Sequence, residues 1–110
     1  MIEKVVQEHL NRVLDIPTLL EKPEEEIQEY IIIEKTGGSR ENHIQSATIA
    51  IKSHAASLFR AAEINKKAID AMNCLAELPE IGSSEYNTDY NYTDISKKEY
   101  RYQAVYEVYY

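Results

Sequence analysis

The side chains best suited to chemistry are thinly spread over this 110-residue chain, with histidines at His9, His43 and His54 and one cysteine, Cys74. A helical zinc site needs two ligands four residues apart, and no pair here has that spacing. A nucleophilic Cys74 would need exposure at the end of an element beside a base. It falls instead within an apolar helical pattern, which predicts a buried and inert thiol. Asn87, Asp89 and Asn91 alternate along one strand face and offer oxygen ligands to a hard cation. The glycine and closing glutamate of a calcium loop are missing, so a solvated face is the better reading. Asp89 and Asp94 flank a hairpin, where aspartate is ordinary turn chemistry. Gly37 and Gly38 follow a strand, as a phosphate cradle would, but no helix with a Lys-Ser/Thr start follows them. They read as the opening of a long polar hairpin loop, running on through Arg40, that in an assembly can reach a neighbouring subunit. No acid, base and nucleophile combine, so the expectation is a non-enzyme with no cofactor and no metal.

What the chain concentrates is tyrosine. Eight of its nine tyrosines lie between Tyr86 and Tyr110. Tyr86, Tyr90 and Tyr92 share one parity, and Tyr100, Tyr102, Tyr106 and Tyr110 share another. Side chains alternate across a strand, so each set is expected to line one face of a C-terminal hairpin. One such face packs a core, but eight phenols exceed what one small core needs, and Tyr109 points opposite to Tyr110. Tyrosine offers large contact area at low entropy cost, which favours interface use of the surplus. The candidate interface is Gly37, Gly38, Arg40, Tyr90, Tyr92, Tyr102, Tyr106, Tyr109 and Tyr110.

The elements that must carry these residues are legible as periodicities. Ile2, Val5, Val6, Leu10, Val13 and Leu14 recur at helical spacing, and Pro17 ends that helix. Asp15 to Glu26, with two prolines and many acids, reads as a solvated connector rather than an acidic docking surface. Tyr30 to Ile33 is β-branched and apolar on both faces, as an interior strand would be. Thr36 to Asn42 form the loop, and His43 to Lys52 return as a half-buried strand with Ala47, Ile49 and Ile51 inward. Ser53 or Ser57 caps the next helix, whose apolar stripe runs from Leu58 to Ala76. Pro79 and Gly82 end it, and two tyrosine-rich strands follow, Tyr86 to Tyr92 and Glu99 to Tyr109. The order α-β-β-α-β-β predicts a single α+β domain over 1–110. It would hold an antiparallel or mixed sheet of about four strands, with two helices on one face.

Composition narrows the partners. The formal net charge is −7 and the basic residues are scattered, which argues against stable nucleic-acid binding. No apolar run approaches the ~20 residues that cross a bilayer, and the N-terminus lacks a signal-peptide order. With a single cysteine, a reducing compartment such as the cytoplasm is expected.

The whole chain, roughly residues 2 to 110, resembles the tail-completion or tail-terminator proteins of long-tailed bacteriophages and prophages. The likeness is carried by Glu29-Tyr30-Ile31-Ile32-Ile33-Glu34, the Gly37-Gly38 hairpin, Ala47-Thr48-Ile49-Ala50-Ile51 and Ala55-Ala56-Ser57-Leu58. Its most distinctive parts are the run from Tyr86 to Asp94 and the close Lys98-Glu99-Tyr100-Arg101-Tyr102-Gln103-Ala104-Val105-Tyr106. The resemblance implies an α+β fold and a structural virion protein at the tail or neck. Such a protein assembles as a ring, usually hexameric, that caps the tail tube and joins it to the head connector. Its partners would be further copies of itself, the tail tube protein and head-tail connector proteins. The resemblance supplies no catalytic residues. Two alternatives remain: another neck or head-completion component, or a monomeric module binding a peptide or small ligand.

Overall fold

A computed structural model describes all residues, Met1–Tyr110. The fold is α+β, with a five-stranded mixed sheet and two α-helices. Helix α1 spans Ile2–Val13 and α2 spans Leu58–Met72. The strands are β1 (Thr18–Leu19), β2 (Tyr30–Glu41), β3 (Ile44–Ala55), β4 (Ser83–Asn91) and β5 (Tyr100–Tyr109), lying side by side as β1-β2-β3-β5-β4. Both helices cover one face. Ile31 and Ile33 of β2, Ala47, Ile49 and Ile51 of β3, and Ala104, Tyr106 and Val108 of β5 point toward them. There they meet Val6 and Leu10 of α1 and Ile64, Ala68 and Met72 of α2. Alternation along each strand thus sorts most of the apolar residues to the helix side, Ile32, Ala50 and Val105 excepted, and leaves the other face without a covering helix.

The structure corrects the expected architecture in four places. The connector after α1 contains a fifth strand, β1, which runs parallel to β2 and makes the sheet mixed. Prolines obscured it, but Pro17 needs only its carbonyl, which accepts from Ile31 N at 2.8 Å. Asn11 clamps the outer side of Thr18, accepting from its N–H at 2.9 Å and donating to its carbonyl at 3.0 Å. A side chain on α1 therefore does the work of a missing strand neighbour.

Second, Gly37 and Gly38 do not open a loop. β2 continues through them to Glu41, with a register shift between Lys35 and Gly37. The chain reverses at Asn42 and His43, whose φ values of 50° and 66° are the left-handed pair of a two-residue hairpin turn. β3 is consequently the strand flanked along its length, whereas β2 is covered by β1 only at Ile31 and Ile32. Third, a bulge in β4 between Tyr86 and Thr88 breaks the parity of the first tyrosine set. Tyr86 opposes Tyr106 on the helix side, while Tyr90 opposes Gln103 on the open side. Asp89, expected on the far face from Tyr86, joins it instead.

Fourth, α2 begins with Ser57 as its cap, the Ser57 hydroxyl accepting from Arg60 N at 3.2 Å, and it ends at Met72. A 3-10 turn over Leu75–Glu77 follows. Cys74 lies between the two and is exposed, not buried, because the helical stripe stops before it. His54 falls within β3 rather than in a turn before the helix.

Candidate interaction surface

The open face of the sheet is built by the residues that alternate with the core. β2 supplies Tyr30, Ile32 and Glu34, and β3 supplies Thr48, Lys52 and His54. β5 contributes Arg101, Gln103 and Glu107, and the β4 bulge turns Tyr90 and the following Tyr92 to the same side. Cross-strand pairs tie these side chains into one layer. Tyr30 and His54 stack with ring centroids 4.5 Å apart, and Lys52 Nζ lies 2.5 Å from Glu34 Oε2. Thr48 donates to Glu107, and Gln103 Nε2 donates to Tyr90 Oη at 2.6 Å. Tyr90 and Tyr92 meet edge-on at 6.2 Å. The Arg101 guanidinium lies over the Tyr92 ring at 4.6 Å and donates to the Tyr92 carbonyl at 2.7 Å. The result is an aromatic and polar surface whose side chains hold one another in place.

Electrostatics at its centre are set by burial. His54 is pulled down from the ordinary histidine value to about 4, chiefly by desolvation and then by the Arg101 charge beside it. It is neutral at physiological pH. Burial likewise raises the Tyr30 phenol above its usual value. Over this part of the face opens a cleft of about 760 Å³, walled by residues 20–22 and 26–28 on one side and 98–101 on the other. His54 Nε2 is buried without a hydrogen-bond partner. The cleft's charges, among them Lys22, Lys98, Glu21 and Glu26, are mixed in sign, and Lys52 pairs with Glu34 within it.

The nine candidate residues separate into three groups. Gly37, Gly38 and Arg40 ride on the β2–β3 hairpin, with Gly38 and Arg40 exposed. A Cβ at Gly38 would come within 2.9 Å of Lys35 Cε and 3.2 Å of the Ser46 carbonyl, so the residue fits closely without a left-handed backbone. Tyr90 and Tyr92 are exposed on the open face, and Tyr109 is half-buried on that side, opposite Ser46. The remaining three turn toward the helices. Tyr102 is half-buried opposite Ser53, and Tyr110 leans on the core while donating its N–H to the Gln45 carbonyl at 2.9 Å. Tyr106 is only 1% exposed, so the expectation that it serves an interface is wrong. Its ring packs edge-on against Tyr86 at 5.7 Å, and its hydroxyl reaches the Ile69 carbonyl at 3.4 Å.

No protein-family model matches the chain, and no curated protein matches it. No helix is long and apolar enough to cross a membrane. No three His, Cys, Asp or Glu side chains converge as metal ligands would. His9 is buried against the Ala71 carbonyl at 2.8 Å, and His43 occupies the exposed hairpin turn.

Sequence reasoning passed over His54, Arg101 and Lys52 as parts of the surface. The alternation of β3 and β5 carried a usable signal, since all three have outward parity opposite inward alanines and isoleucines. It also missed the Asn65–Asp89–Tyr86 cluster, in which Asn65 Nδ2 donates to Asp89 Oδ2 at 2.9 Å and Tyr86 donates to Asp89 Oδ1. That cluster depends on the bulge, for which the linear pattern holds no mark.

Proposed function

We propose that this protein is a structural component of a long-tailed phage or prophage virion, closing the tail tube and joining it to the head connector as a ring. The observation that carries the reading is the division of the sheet into a helix-covered core face and an uncovered, prearranged aromatic face. A subunit in a closed ring must also present two different surfaces to its neighbours and further surfaces to the structures above and below. The open face, the projecting β2–β3 hairpin and the charged turns at the sheet's edges supply surfaces for those roles. The sequence likeness to tail-terminator proteins specifies the assembly. Within it Tyr90, Tyr92 and Tyr109 act as contact residues and Tyr106 as a core residue. A hexamer is the ring size that the likeness implies.

Deleting the gene from the element that encodes it tests this reading. The expected outcome is DNA-filled heads and separate tails that do not join. Normal tailed particles from the deletion would overturn it. Heads that lose their DNA, with complete tails, would favour a head-completion role at the neck instead.

A second reading, a monomeric peptide- or ligand-binding module, draws on the cleft above His54. Its size lies within the range of ligand pockets, about 300–1,000 Å³. It ranks second because four of the cleft's charged groups, Lys52 with Glu34 and Arg101 with Glu99, are already paired with each other.

A further inference from the structure

The turn joining β4 to β5 is the least expected solvent-facing feature of the fold. Ile95 at its tip is 85% exposed, although isolated exposed apolar residues are ordinary. The way it is held is less ordinary. Asp94 N donates to the Glu99 carbonyl at 3.0 Å, and Glu99 N returns the bond at 3.1 Å. The Asp94 carboxylate also accepts from Ser96 Oγ at 2.7 Å and from Lys97 N at 3.3 Å. Lys98 adopts a left-handed φ of 53°, which a non-glycine residue takes only at some cost. The turn is therefore a fixed knob that presents Ile95 beside Lys97 and Lys98. Neither lysine has an ion-pair partner in its own chain.

A matching recess lies beside the other edge of the sheet. Between α1 and the segment after β1 is a cleft of about 520 Å³. Leu19, Leu20 and Ile27 give it an apolar lining, and exposed Glu21, Glu24 and Glu25 stand on its rim with only Lys22 in opposition. None of these three carboxylates is ion-paired within the chain. Strands β2, β3 and β5 lie between the β1 edge and the β4 edge, a span of roughly 19 Å at about 4.8 Å per step.

We propose that the Asp94–Glu99 turn of one copy docks in the recess of the next copy, with Ile95 in the apolar lining and Lys97 and Lys98 against Glu21, Glu24 and Glu25. The occupant is identified by complementarity in both properties: an apolar tip flanked by cations meets an apolar lining rimmed by carboxylates. Knob and recess are different surfaces on one chain, so the contact is head-to-tail and propagates from copy to copy. Closure of that series into a ring rests on the tail-terminator reading. The pairwise contact does not.

Sedimentation velocity on the full-length protein, over a wide concentration range, tests the contact. Wild type is expected to self-associate reversibly. Ile95→Ser should weaken association about ten- to a hundred-fold, the equivalent of exposing one aliphatic side chain. The double reversals Lys97→Glu/Lys98→Glu and Glu24→Lys/Glu25→Lys should each weaken it about ten- to thirty-fold. Mixing the two reversed proteins should restore association. All the substituted positions are exposed, and an unchanged urea midpoint would show that each variant folds.

A strictly monomeric wild type overturns the proposal, as does self-association indifferent to all three variants, or a mixture that does not recover. Indifference to the variants would leave the ring reading intact with a different contact. A gene deletion that still yields tailed particles would remove the ring reading while leaving the contact to stand on its own.

Discussion

Replacing Tyr106 with alanine should separate core from contact surface among the tyrosines. Tyr106 is fully buried beneath α2, its ring against Tyr86 and its hydroxyl directed at the Ile69 carbonyl. Truncating a buried aromatic costs about 3–5 kcal/mol, from lost transfer energy and the cavity left behind. Folding stability for a domain this size is on the order of 5–15 kcal/mol, so the variant would keep only part of its margin. Tyr106→Phe keeps the ring and removes a hydrogen bond that is already long at 3.4 Å, for a loss of about 0.5 kcal/mol. Tyr92→Ala removes an exposed ring whose main intrachain partner is the Arg101 guanidinium, a contact worth about 0.5–1 kcal/mol. Urea unfolding followed by far-ultraviolet circular dichroism measures all three. The order of destabilisation should be Tyr106→Ala far above Tyr92→Ala, with Tyr106→Phe alongside the latter. A Tyr106→Ala protein within about 1 kcal/mol of wild type, or a Tyr92→Ala protein as damaged as it, would refute the assignment of the two rings to opposite faces.

Three further outcomes follow from the geometry. His54 is held near 4 in the fold against an ordinary value of 6.5, so the unfolded chain binds its proton first. Its contribution is complete above about pH 6.5 and is lost as pH falls toward 4, and His54→Phe should flatten that limb of a stability-pH curve. If the slope between pH 6.5 and 4 is unchanged, His54 is not the group responsible. Burial lifts the Tyr106 phenol to about 12, so stability should decline as pH rises from 10 toward 12, and Tyr106→Phe should remove part of that decline. Arg60 holds Glu29 through contacts of 2.7 and 2.9 Å, which keep the Glu29 carboxyl below its usual value. Arg60→Ala should speed cleavage by a glutamate-specific protease at Glu24 to Glu26. Equal rates would mean that this ion pair does not tether the connector.

Much of the fold is legible in the residues, and what is not has local physical causes. The inward parity of Ala47, Ile49 and Ile51, and most of the stripes of α1 and α2, follow from burial alone; the exceptions are Val13 and Leu58, which are exposed, and the stretch beyond Met72, where α2 has ended. β1 was hidden because its outer hydrogen bonds go to Asn11, a side chain on another element whose amide carries no strand signal. The Gly37-Gly38 pair resembles turn chemistry, yet the turn forms where Asn42 and His43 accept left-handed backbone and the register of Ile33 with Ile51 is kept. The extra residue in β4 is the most consequential difference, because it decides which tyrosines reach solvent. It lets Tyr86 cover Tyr106 while Tyr90 and Tyr92 emerge opposite, a compromise between two packings that an alternating pattern cannot express. The candidate surface was therefore half visible. Its aromatic residues stood out in the sequence, while the cations interleaved with them became evident only once β3 and β5 were side by side.

The proposed role is assembly at the end of a tail tube through the uncovered sheet face and edges. Electron microscopy of the purified protein mixed with tail tubes from the same phage or prophage tests it most directly. The expected result is a closed ring of this protein at one end of each tube, with the ring lost in a Tyr90→Ala/Tyr92→Ala variant that still folds. Bare tube ends at saturating protein, with the protein remaining monomeric beside them, would contradict it.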